Sequence, residues 1–206
     1  MYLLFEGIDG CGKSTQIERL KEKFSDIIIT KEPAGTKLGE KIRELILKED
    51  ISKEAETLLF LADRAEHYNR VIKPNRDKLI VSDRGFISGI AYALANEDFS
   101  LETLLFLNRF ALNGEFPNFI FFFKIDRDTL KSRLTLRGGF DKIEKRGFEY
   151  LLRVQEKIEF TLNSLDIEYM KIDATLDVDI IHNQIVQKIE ELINFNKNGD
   201  IITHTK

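Results

Sequence analysis

The sequence lacks the features that mark several broad classes of protein. Its only cysteine is Cys11, so no internal disulfide can form and a reducing compartment is favoured. No apolar run approaches the roughly 20 residues that a membrane-spanning helix needs. The first residues, MYLLFEGIDG, lack a basic segment, so a secretory signal peptide is not expected. These absences favour a cytoplasmic protein that does not cross a membrane.

The sequence also has no excess of basic residues over acidic ones. With 31 Lys and Arg against 35 Asp and Glu, the net charge is -4, which disfavours a general nucleic-acid-binding surface but leaves room for a local basic pocket. No linker, repeat or low-complexity segment divides the 206 residues, and 43% of them are hydrophobic. This length and composition suit one globular domain. We place it at residues 1–195 and expect residues 196–206 to form a frayed tail.

Apolar segments alternate with helical patterns along the chain. Five segments are typical of buried strands: residues 2–5, 27–30, 78–81, 119–125 and 167–172. Helical patterns occupy residues 13–24, 37–49, 54–72, 86–96, 101–113, 126–137, 147–164 and 178–195. Strands separated by helices predict an α/β fold with a parallel five-stranded sheet that is covered by helices on both faces. Ligands of such sheets bind beyond the carboxyl ends of the strands.

The most specific motif is EGIDGCGKST at residues 6–15. It matches G-x-x-x-x-G-K-[ST], and the match follows a predicted strand and opens a predicted helix, as a phosphate-binding loop does. The loop N–H groups and the helix N-terminus would hold the phosphates of ATP, with Lys13 at the β- and γ-phosphates and Ser14 on Mg2+. The residues of this predicted ATP-binding loop are Gly7, Ile8, Asp9, Gly10, Cys11, Gly12, Lys13, Ser14 and Thr15.

Other charged residues indicate chemistry near this loop. Asp83 and Arg84 follow a predicted strand, where the carboxylate would hold Mg2+ beside Ser14 and the guanidinium would clamp a phosphate. Asp9 is unexpected, because a carboxylate beside phosphates is repelled unless a hydroxyl, a metal or a cation uses it. The motifs D-x-x-G and N-K-x-D do not occur together where a GTPase needs them, so the pattern favours a compact small-molecule kinase. The three histidines lack metal-ligand spacing and are expected at the surface.

In these segments the chain resembles the thymidylate kinases of the bacterial type, which are nucleoside-monophosphate kinases that phosphorylate dTMP. The resemblance runs from residue 2 to about residue 194. It rests on EGIDGCGKST, KEPAGTKLGEKIRELIL, LLFLADRAEH, SDRGFISGIAYA, RLTLRGGFDKIE and the dipeptide DA at 173–174, in this order. It implies the P-loop nucleoside-monophosphate kinase fold, a homodimer, and Mg2+-dependent transfer of a phosphoryl group from ATP to dTMP.

The resemblance also implies which residues hold dTMP: Asp9, Glu32, Pro33, Arg43, Phe60, Arg64, Arg84, Ser88 and Tyr92. In this family the loop carboxylate is aimed at the 3′-OH of the acceptor, which would explain Asp9. Arg43 and Arg84 match arginines that hold the acceptor phosphate. Phe60 would stack on the thymine and Arg64 would donate to its O4, since residues four apart share a helix face. Tyr92 would lie under the ribose, where a 2′-OH would crowd it.

The donor side completes the implied site. Arg133 and Arg137 match arginines near the adenine and the transferring phosphate. Residues 137–146 would form a short mobile lid that hinges at Gly138 and Gly139. The implied catalytic residues are Asp9, Lys13, Arg84 and Arg137.

Two other functions also fit a phosphate-binding loop. One is a kinase for another nucleotide or for a deoxynucleoside, and the other is a nucleotide-dependent switch that binds partners without acting on a small acceptor. Asp9 together with Phe60 and Arg64 favours an acceptor with a base and a sugar over a switch. Ala34 stands where the family has a glycine, and Ala93 where many bacterial members have a glutamine that contacts the base. The latter departure concerns how thymine is read, not the class of reaction.

Overall fold

A computed structural model of the chain describes residues 1–96, 99–137 and 147–197. Its strands are β1 (Tyr2–Glu6), β2 (Ile28–Lys31), β3 (Ile80–Asp83), β4 (Phe119–Lys124) and β5 (Tyr169–Asp173). They pair in parallel in the order β2-β3-β1-β4-β5. The α-helices of the described residues are α1 (Lys13–Lys23), α2 (Lys37–Lys48), α3 (Lys53–His67), α4 (Phe86–Ala95), α5 (Leu101–Ala111), α6 (Arg127–Arg137), α7 (Phe148–Asn163) and α8 (Val178–Lys197). The predicted α/β fold with a five-stranded parallel sheet is confirmed.

The central strands of the sheet are buried on both faces. Every residue of β1 is buried, and so are the first five residues of β4. Because successive side chains of a strand point to opposite faces, a wholly buried strand requires cover on both sides. Among the covering helices, α1 packs against α8, and α4 packs against α7. The rings of Phe5 and Phe121, with centroids 5.1 Å apart, join β1 to β4 within this core.

Side-chain caps explain where several helices begin. Thr36, Ser52 and Ser100 each accept a hydrogen bond from a backbone N–H in the first turn of α2, α3 and α5, respectively. A cap of this kind contributes about 1 kcal/mol of stability. α1 begins differently, because it follows Gly12 and no side chain of the described residues caps it. Its first N–H groups therefore stay available to a ligand.

The helix predicted over residues 54–72 is present, but its last five residues are not α-helical. After α3, the chain continues as a π-helical turn, Tyr68–Ile72, and then a 3-10 turn, Lys73–Asn75. Pro74 explains why a regular helix cannot continue there, because proline lacks an N–H and its ring clashes with the carbonyl four residues earlier. The other predicted strands and helices in the described residues are present, with ends displaced by one to a few residues.

Two predicted segments lie mostly outside the described residues. The predicted lid at 137–146 lies there except for the backbone of Arg137, which closes α6. The predicted tail lies there from residue 198 onward, and its first two residues belong to α8. Within the described residues, no helix is both long and apolar enough to cross a membrane.

The strand order brings three strand ends to one place. The register pairs Phe5 of β1 and Lys31 of β2 with Asp83 of β3, so these three strands end side by side. The loop after β1, the turn after β2 and the start of α4 therefore meet at the carboxyl edge of the sheet. The winding of the chain also reverses at β1, because β3 lies on one side of it and β4 on the other. Ligands of open α/β sheets bind at such a position.

Candidate active site

The loop between β1 and α1 is shaped to hold an anion. Gly12 has a φ of 94°, a left-handed conformation that favours glycine, and it turns the chain directly into α1. The uncapped N-terminus of α1 carries the partial positive charge of the helix dipole. Lys13 adds a full charge, and its Nζ donates to the carbonyl oxygens of Gly7, at 2.9 Å, and Ile8, at 3.2 Å. Cys11 is buried beneath the loop, as a small apolar filler would be.

A carboxylate and a hydroxyl next to this loop fit a magnesium ion. Ser14 Oγ donates to Asp83 Oδ2 at 3.4 Å, and Lys13 Nζ lies 3.9 Å from Asp83 Oδ1. Within the described residues, this Oδ1 is a buried oxygen without a hydrogen-bond partner. No group of three or more His, Cys, Asp or Glu residues in the described chain forms a metal cage. Mg2+ needs no such cage, since it is usually held by one or two protein oxygens, water and substrate phosphates.

Arg84 connects the phosphate-binding loop to α4. Its guanidinium donates to the carbonyl oxygen of Gly7 at 2.6 Å, to Asp9 Oδ1 at 2.8 Å and to Ser88 Oγ at 3.2 Å. The residue has a φ of 68°, which is strained for a side chain other than glycine and is characteristic of functional positions. Burial acts to lower the pKa of Arg84, but Asp9 and Tyr92 outweigh it and hold that pKa well above its ordinary value. Arg84 therefore remains a permanent cation, which accounts for the carboxylate of Asp9 in the loop.

A buried acid that the sequence did not single out supports this arrangement. Glu6 ends β1 with no exposed surface. It accepts hydrogen bonds from the hydroxyl and, at 3.3 Å, from the backbone N–H of Ser88. Burial raises the pKa of Glu6 above its ordinary value, although Ser88 and Arg84 act in the opposite direction. Glu6 thus fixes the hydroxyl that in turn accepts from Arg84.

One cavity is lined by the residues that the sequence analysis assigned to the phosphoryl acceptor. Its volume is about 180 Å³, more than ten times what one water molecule needs, so it admits a ligand of many atoms. All nine of the assigned residues line it: Asp9, Glu32, Pro33, Arg43, Phe60, Arg64, Arg84, Ser88 and Tyr92. Asp83 also lines the cavity, so the candidate metal site and the candidate acceptor site adjoin.

One part of the cavity lining combines an aromatic ring with a fixed guanidinium. Phe60 is half-buried on α3, and Arg64, one turn later, is 3% exposed. Arg64 Nε donates to Glu32 Oε2 at 2.8 Å, while its two terminal nitrogens donate to Asn108 Oδ1 at 2.6 Å and to the carbonyl oxygen of Gly85 at 3.1 Å. A ring and an immobile donor at this spacing suit a flat ligand that carries an acceptor at its edge.

The expectation that His67 lies at the surface is wrong. His67 is wholly buried, with Nε2 at 2.7 Å from Thr30 Oγ1 and Nδ1 at 2.9 Å from Glu32 Oε1. The ring is accommodated because both of its nitrogens have polar partners. Burial acts to raise the pKa of Glu32, but Arg64 and His67 outweigh it and lower that pKa below its ordinary value. His182 is half-buried against Gln16, and His204 lies outside the described residues.

A buried carboxylate of α3 contacts the turn after β2. Asp63 is 1% exposed and accepts a hydrogen bond from the N–H of Ala34 at 3.2 Å. Burial raises the pKa of Asp63, and the nearby charge of Glu32 raises it further. Ala34 has a φ of 76°, in the left-handed region where glycine is favoured. The glycine that the family places here is therefore the residue that suits the backbone.

Of the residues assigned to the phosphoryl donor, ATP, the structure describes all but the side chain of Arg137. Arg133 of α6 lies over the phosphate-binding loop, where its guanidinium donates to the carbonyl oxygen of Gly10 at 3.4 Å. Thr15, also assigned to ATP, is exposed in the first turn of α1. The side chain of Arg137 lies outside the described residues, as do the lid residues 138–146.

Sequence reasoning missed four polar residues of this region: Glu6, Asp63, His67 and Asn108. Only His67 left a local signal, because it lies three residues after Arg64 and hence on the same face of α3. Glu6 and Asn108 reach their partners across 82 and 44 residues of chain, a distance over which spacing carries no information.

Comparison with known proteins agrees with the geometry. The family model for thymidylate kinase matches residues 5–185. The chain is 55% identical over 198 residues to a thymidylate kinase of Campylobacter concisus, a match that covers 95% of this chain and 100% of that protein. It is 54% identical over 187 residues to a thymidylate kinase of a Sulfurovum species, covering 90% of this chain and 97% of the relative. A thymidylate kinase of Campylobacter jejuni is 48% identical over 196 residues, covering 92% and 100%.

Proposed function

The chain belongs to the thymidylate kinase family, and on that premise we propose that it transfers the γ-phosphoryl group of ATP to dTMP, giving ADP and dTDP. The observation that carries this proposal is that all nine residues assigned to the acceptor line one cavity, together with Asp83, which contacts Ser14 of the phosphate-binding loop. Phe60 and Arg64 suit the base of the acceptor, and the cations Arg43 and Arg84 suit its phosphate.

The acceptor binds through groups at both ends of the cavity. Arg64 donates to O4 of the thymine, and Phe60 stacks on its ring. Arg43, which is exposed on α2 and has no ion-pair partner among the described residues, holds the acceptor phosphate together with Arg84. Asp9 accepts from the 3′-OH while it remains paired with Arg84. Tyr92 lies under the sugar, with the Arg84 guanidinium 5.8 Å from the centre of its ring.

The donor binds at the loop of residues 7–15. Backbone N–H groups of this loop and the N-terminus of α1 hold the phosphates of ATP, and Arg133 lies on the adenine side. Lys13 turns from the loop carbonyls to the β- and γ-phosphates when ATP is present. Ser14 and Asp83 hold Mg2+, which neutralises phosphate charge when it is bound. Asp83 suits this role because its Oδ1 is buried and has no hydrogen-bond partner in the described residues.

Catalysis consists of positioning and charge neutralisation, because the loose transition state of phosphoryl transfer needs little covalent help. Asp9, Lys13 and Arg84 surround the space between donor and acceptor. Arg137 supplies further positive charge to the transferring group from the lid of residues 137–146, which closes over the phosphates. Residues 1–195 act as one kinase domain.

We also propose that the enzyme acts in the cytoplasm as a homodimer. ATP and dTMP are cytoplasmic metabolites, and a single buried cysteine suits a reducing compartment. Phe106 and Phe110 lie one turn apart on α5 with 70% and 80% of their surfaces exposed, an apolar pair that suits a subunit interface. Sedimentation velocity should give a dimer for the wild type and a monomer for Phe106→Glu with Phe110→Glu. Phe160→Glu, at a residue that is 51% exposed on α7, is the matched control and should stay dimeric.

An ADP-release assay with a panel of acceptors tests the function. The panel contains dTMP, dUMP, dCMP, CMP, AMP, GMP and thymidine, with Mg2+ and ATP in each case. We expect dTMP to be used at least about tenfold better than dCMP, because a buried donor left unpaired costs roughly 1–3 kcal/mol. dUMP should be weaker than dTMP because it lacks the methyl group. Slow ATP hydrolysis that no acceptor accelerates would instead support a nucleotide-dependent switch.

A further inference from the structure

The guanidinium of Arg64 is held from three separate elements of the fold. Glu32 follows β2, Gly85 precedes α4, and Asn108 lies on α5. Their oxygens take one hydrogen bond from each of the three guanidinium nitrogens, at 2.8, 3.1 and 2.6 Å, respectively. An arginine has five N–H groups, so two remain for a ligand in the cavity. Which way these two point depends on the three contacts.

Of the three residues that accept from Arg64, Asn108 is the one that does not line the cavity. Asn108 is 2% exposed and is not among the lining residues. Its Nδ2 donates to the carbonyl oxygen of Leu104 at 2.7 Å, one turn earlier on α5. Because the amide nitrogen is used in this way, the amide oxygen must face Arg64. Asn108 therefore presents an acceptor of fixed direction to one terminal nitrogen.

The guanidinium also lies close to Gly89 of α4, where no side chain is present. A Cβ on Gly89 of α4 would lie 2.9 Å from one terminal nitrogen of Arg64 and 3.1 Å from the other. Such distances are too short for a carbon, so the guanidinium uses the space that Gly89 leaves. Gly89 on α4 and Asn108 on α5 thus both limit where the guanidinium can lie.

We propose that Asn108 is a positioning residue that determines which bases the acceptor cavity takes, by fixing the orientation of the Arg64 guanidinium. The inference rests on the proposed function, in which Arg64 meets the edge of the acceptor base. A fixed guanidinium donates to a carbonyl oxygen at that edge of the base but has no acceptor for the N–H groups of an amino substituent there. A guanidinium that is free to turn can move away from an amino group, and discrimination then falls.

The test compares variants that keep or remove the acceptor oxygen at position 108. Asn108→Leu has a similar volume and removes the oxygen, whereas Asn108→Asp retains an acceptor oxygen for Arg64 and loses only the N–H group that Asn108 donates to the Leu104 carbonyl. Leu104→Ala is the matched control, because it removes buried apolar volume from the same helix but leaves the backbone carbonyl and Asn108 in place. For each folded protein, kcat and KM are measured with dTMP and with dCMP, together with the urea midpoint.

We expect Asn108→Leu to lower the dTMP:dCMP ratio of kcat/KM at least about fivefold, as the loss of one hydrogen bond to a charged group implies. The change should fall mainly on KM, because Asn108 acts through Arg64, which is proposed to bind the base and not a phosphate. Asn108→Asp should keep most of the ratio, and Leu104→Ala should lower the urea midpoint without changing the ratio. If Asn108→Leu does not fold, Asn108→Ser, whose hydroxyl is too short to reach Arg64, replaces it with the same expectation.

Three outcomes would overturn the inference. An unchanged ratio in Asn108→Leu would show that Glu32 and the Gly85 carbonyl suffice to orient Arg64. An equal loss in Asn108→Asp and Asn108→Leu would show that the acceptor oxygen is not what matters, and an equal loss in Leu104→Ala would assign the effect to loosened packing of α5. If the wild type itself uses dTMP and dCMP equally, the result contradicts the proposed role of Arg64 at the base, and with it the inference about Asn108.

Discussion

Replacing Glu32 with glutamine should lower the free energy of unfolding at pH 7 by about 3–5 kcal/mol, the usual cost of removing one partner from a buried ion pair. The side chains of Glu32 and Arg64 are each 4% exposed, so water cannot compensate the guanidinium once its counter-ion is gone. Glutamine keeps the shape of the side chain and one acceptor oxygen, so the loss reports charge more than packing.

The loss of stability in Glu32→Gln should also depend on pH. Burial acts to raise the pKa of Glu32, but Arg64 and His67 lower it below the ordinary value of 4.5. A carboxyl whose folded-state pKa is lowered contributes stability that is fully present above its unfolded-state pKa and is lost as the pH falls through the folded-state pKa. The difference in stability between wild type and Glu32→Gln should therefore be complete at pH 7 and narrow as the pH falls below about 4.5.

Urea unfolding followed by circular dichroism between pH 7 and pH 3.5 measures both effects. Glu159→Gln is the matched control, because Glu159 also pairs with two cations, Lys124 and Lys171, but its side chain is 23% exposed. Exposed pairs contribute about 0–1 kcal/mol, so this variant should unfold almost as the wild type does. Equal stability of Glu32→Gln and Glu159→Gln at pH 7, or a difference that does not change with pH, would refute the reasoning about the buried network.

Three further substitutions test other parts of the site. Arg137→Ala should lower kcat at least about a hundredfold while the dTMP dissociation constant changes less than about threefold, since a residue used only in the transition state affects rate more than binding; near-normal kcat would remove this residue from catalysis. Tyr92→Ala should raise the use of the ribo form of TMP relative to dTMP, and a wild type that accepts both sugars equally would show that Tyr92 is no gate. Ala34→Gly should raise the free energy of unfolding by about 0.5–1 kcal/mol, because relief of the left-handed backbone exceeds the added entropy of the unfolded chain; calorimetry that finds a loss of stability would contradict this.

The parts of the site that depend on local sequence were predictable. The phosphate-binding loop is one contiguous segment, and its spacing alone indicates how it turns into α1. Asp83 and Arg84 follow an apolar strand, so their position at the edge of the sheet follows from the parallel arrangement. Strands β1, β3 and β4 were predictable because a strand that is buried on both faces is a continuous apolar run.

Contacts between distant segments were not predictable in this way. The pairs Glu6 with Ser88 and Arg64 with Asn108 exist only because the fold brings their elements together. His67 was misplaced at the surface for a related reason, because its burial is possible only with polar partners on both ring nitrogens, and these come from β2 and the turn after it. Burial of polar residues is decided by such partners, which a single sequence does not reveal.

The most direct test of the central claim is a crystal structure of the protein with dTMP and a non-hydrolysable ATP analogue. We expect the thymine between Phe60 and Arg64, with O4 within hydrogen-bond distance of the guanidinium, and the acceptor phosphate at Arg43 and Arg84. The triphosphate should lie on the loop of residues 7–15. If dTMP bound elsewhere, or bound in this cavity with its base toward the loop and its phosphate toward Arg64, the assignment of the acceptor site would be contradicted.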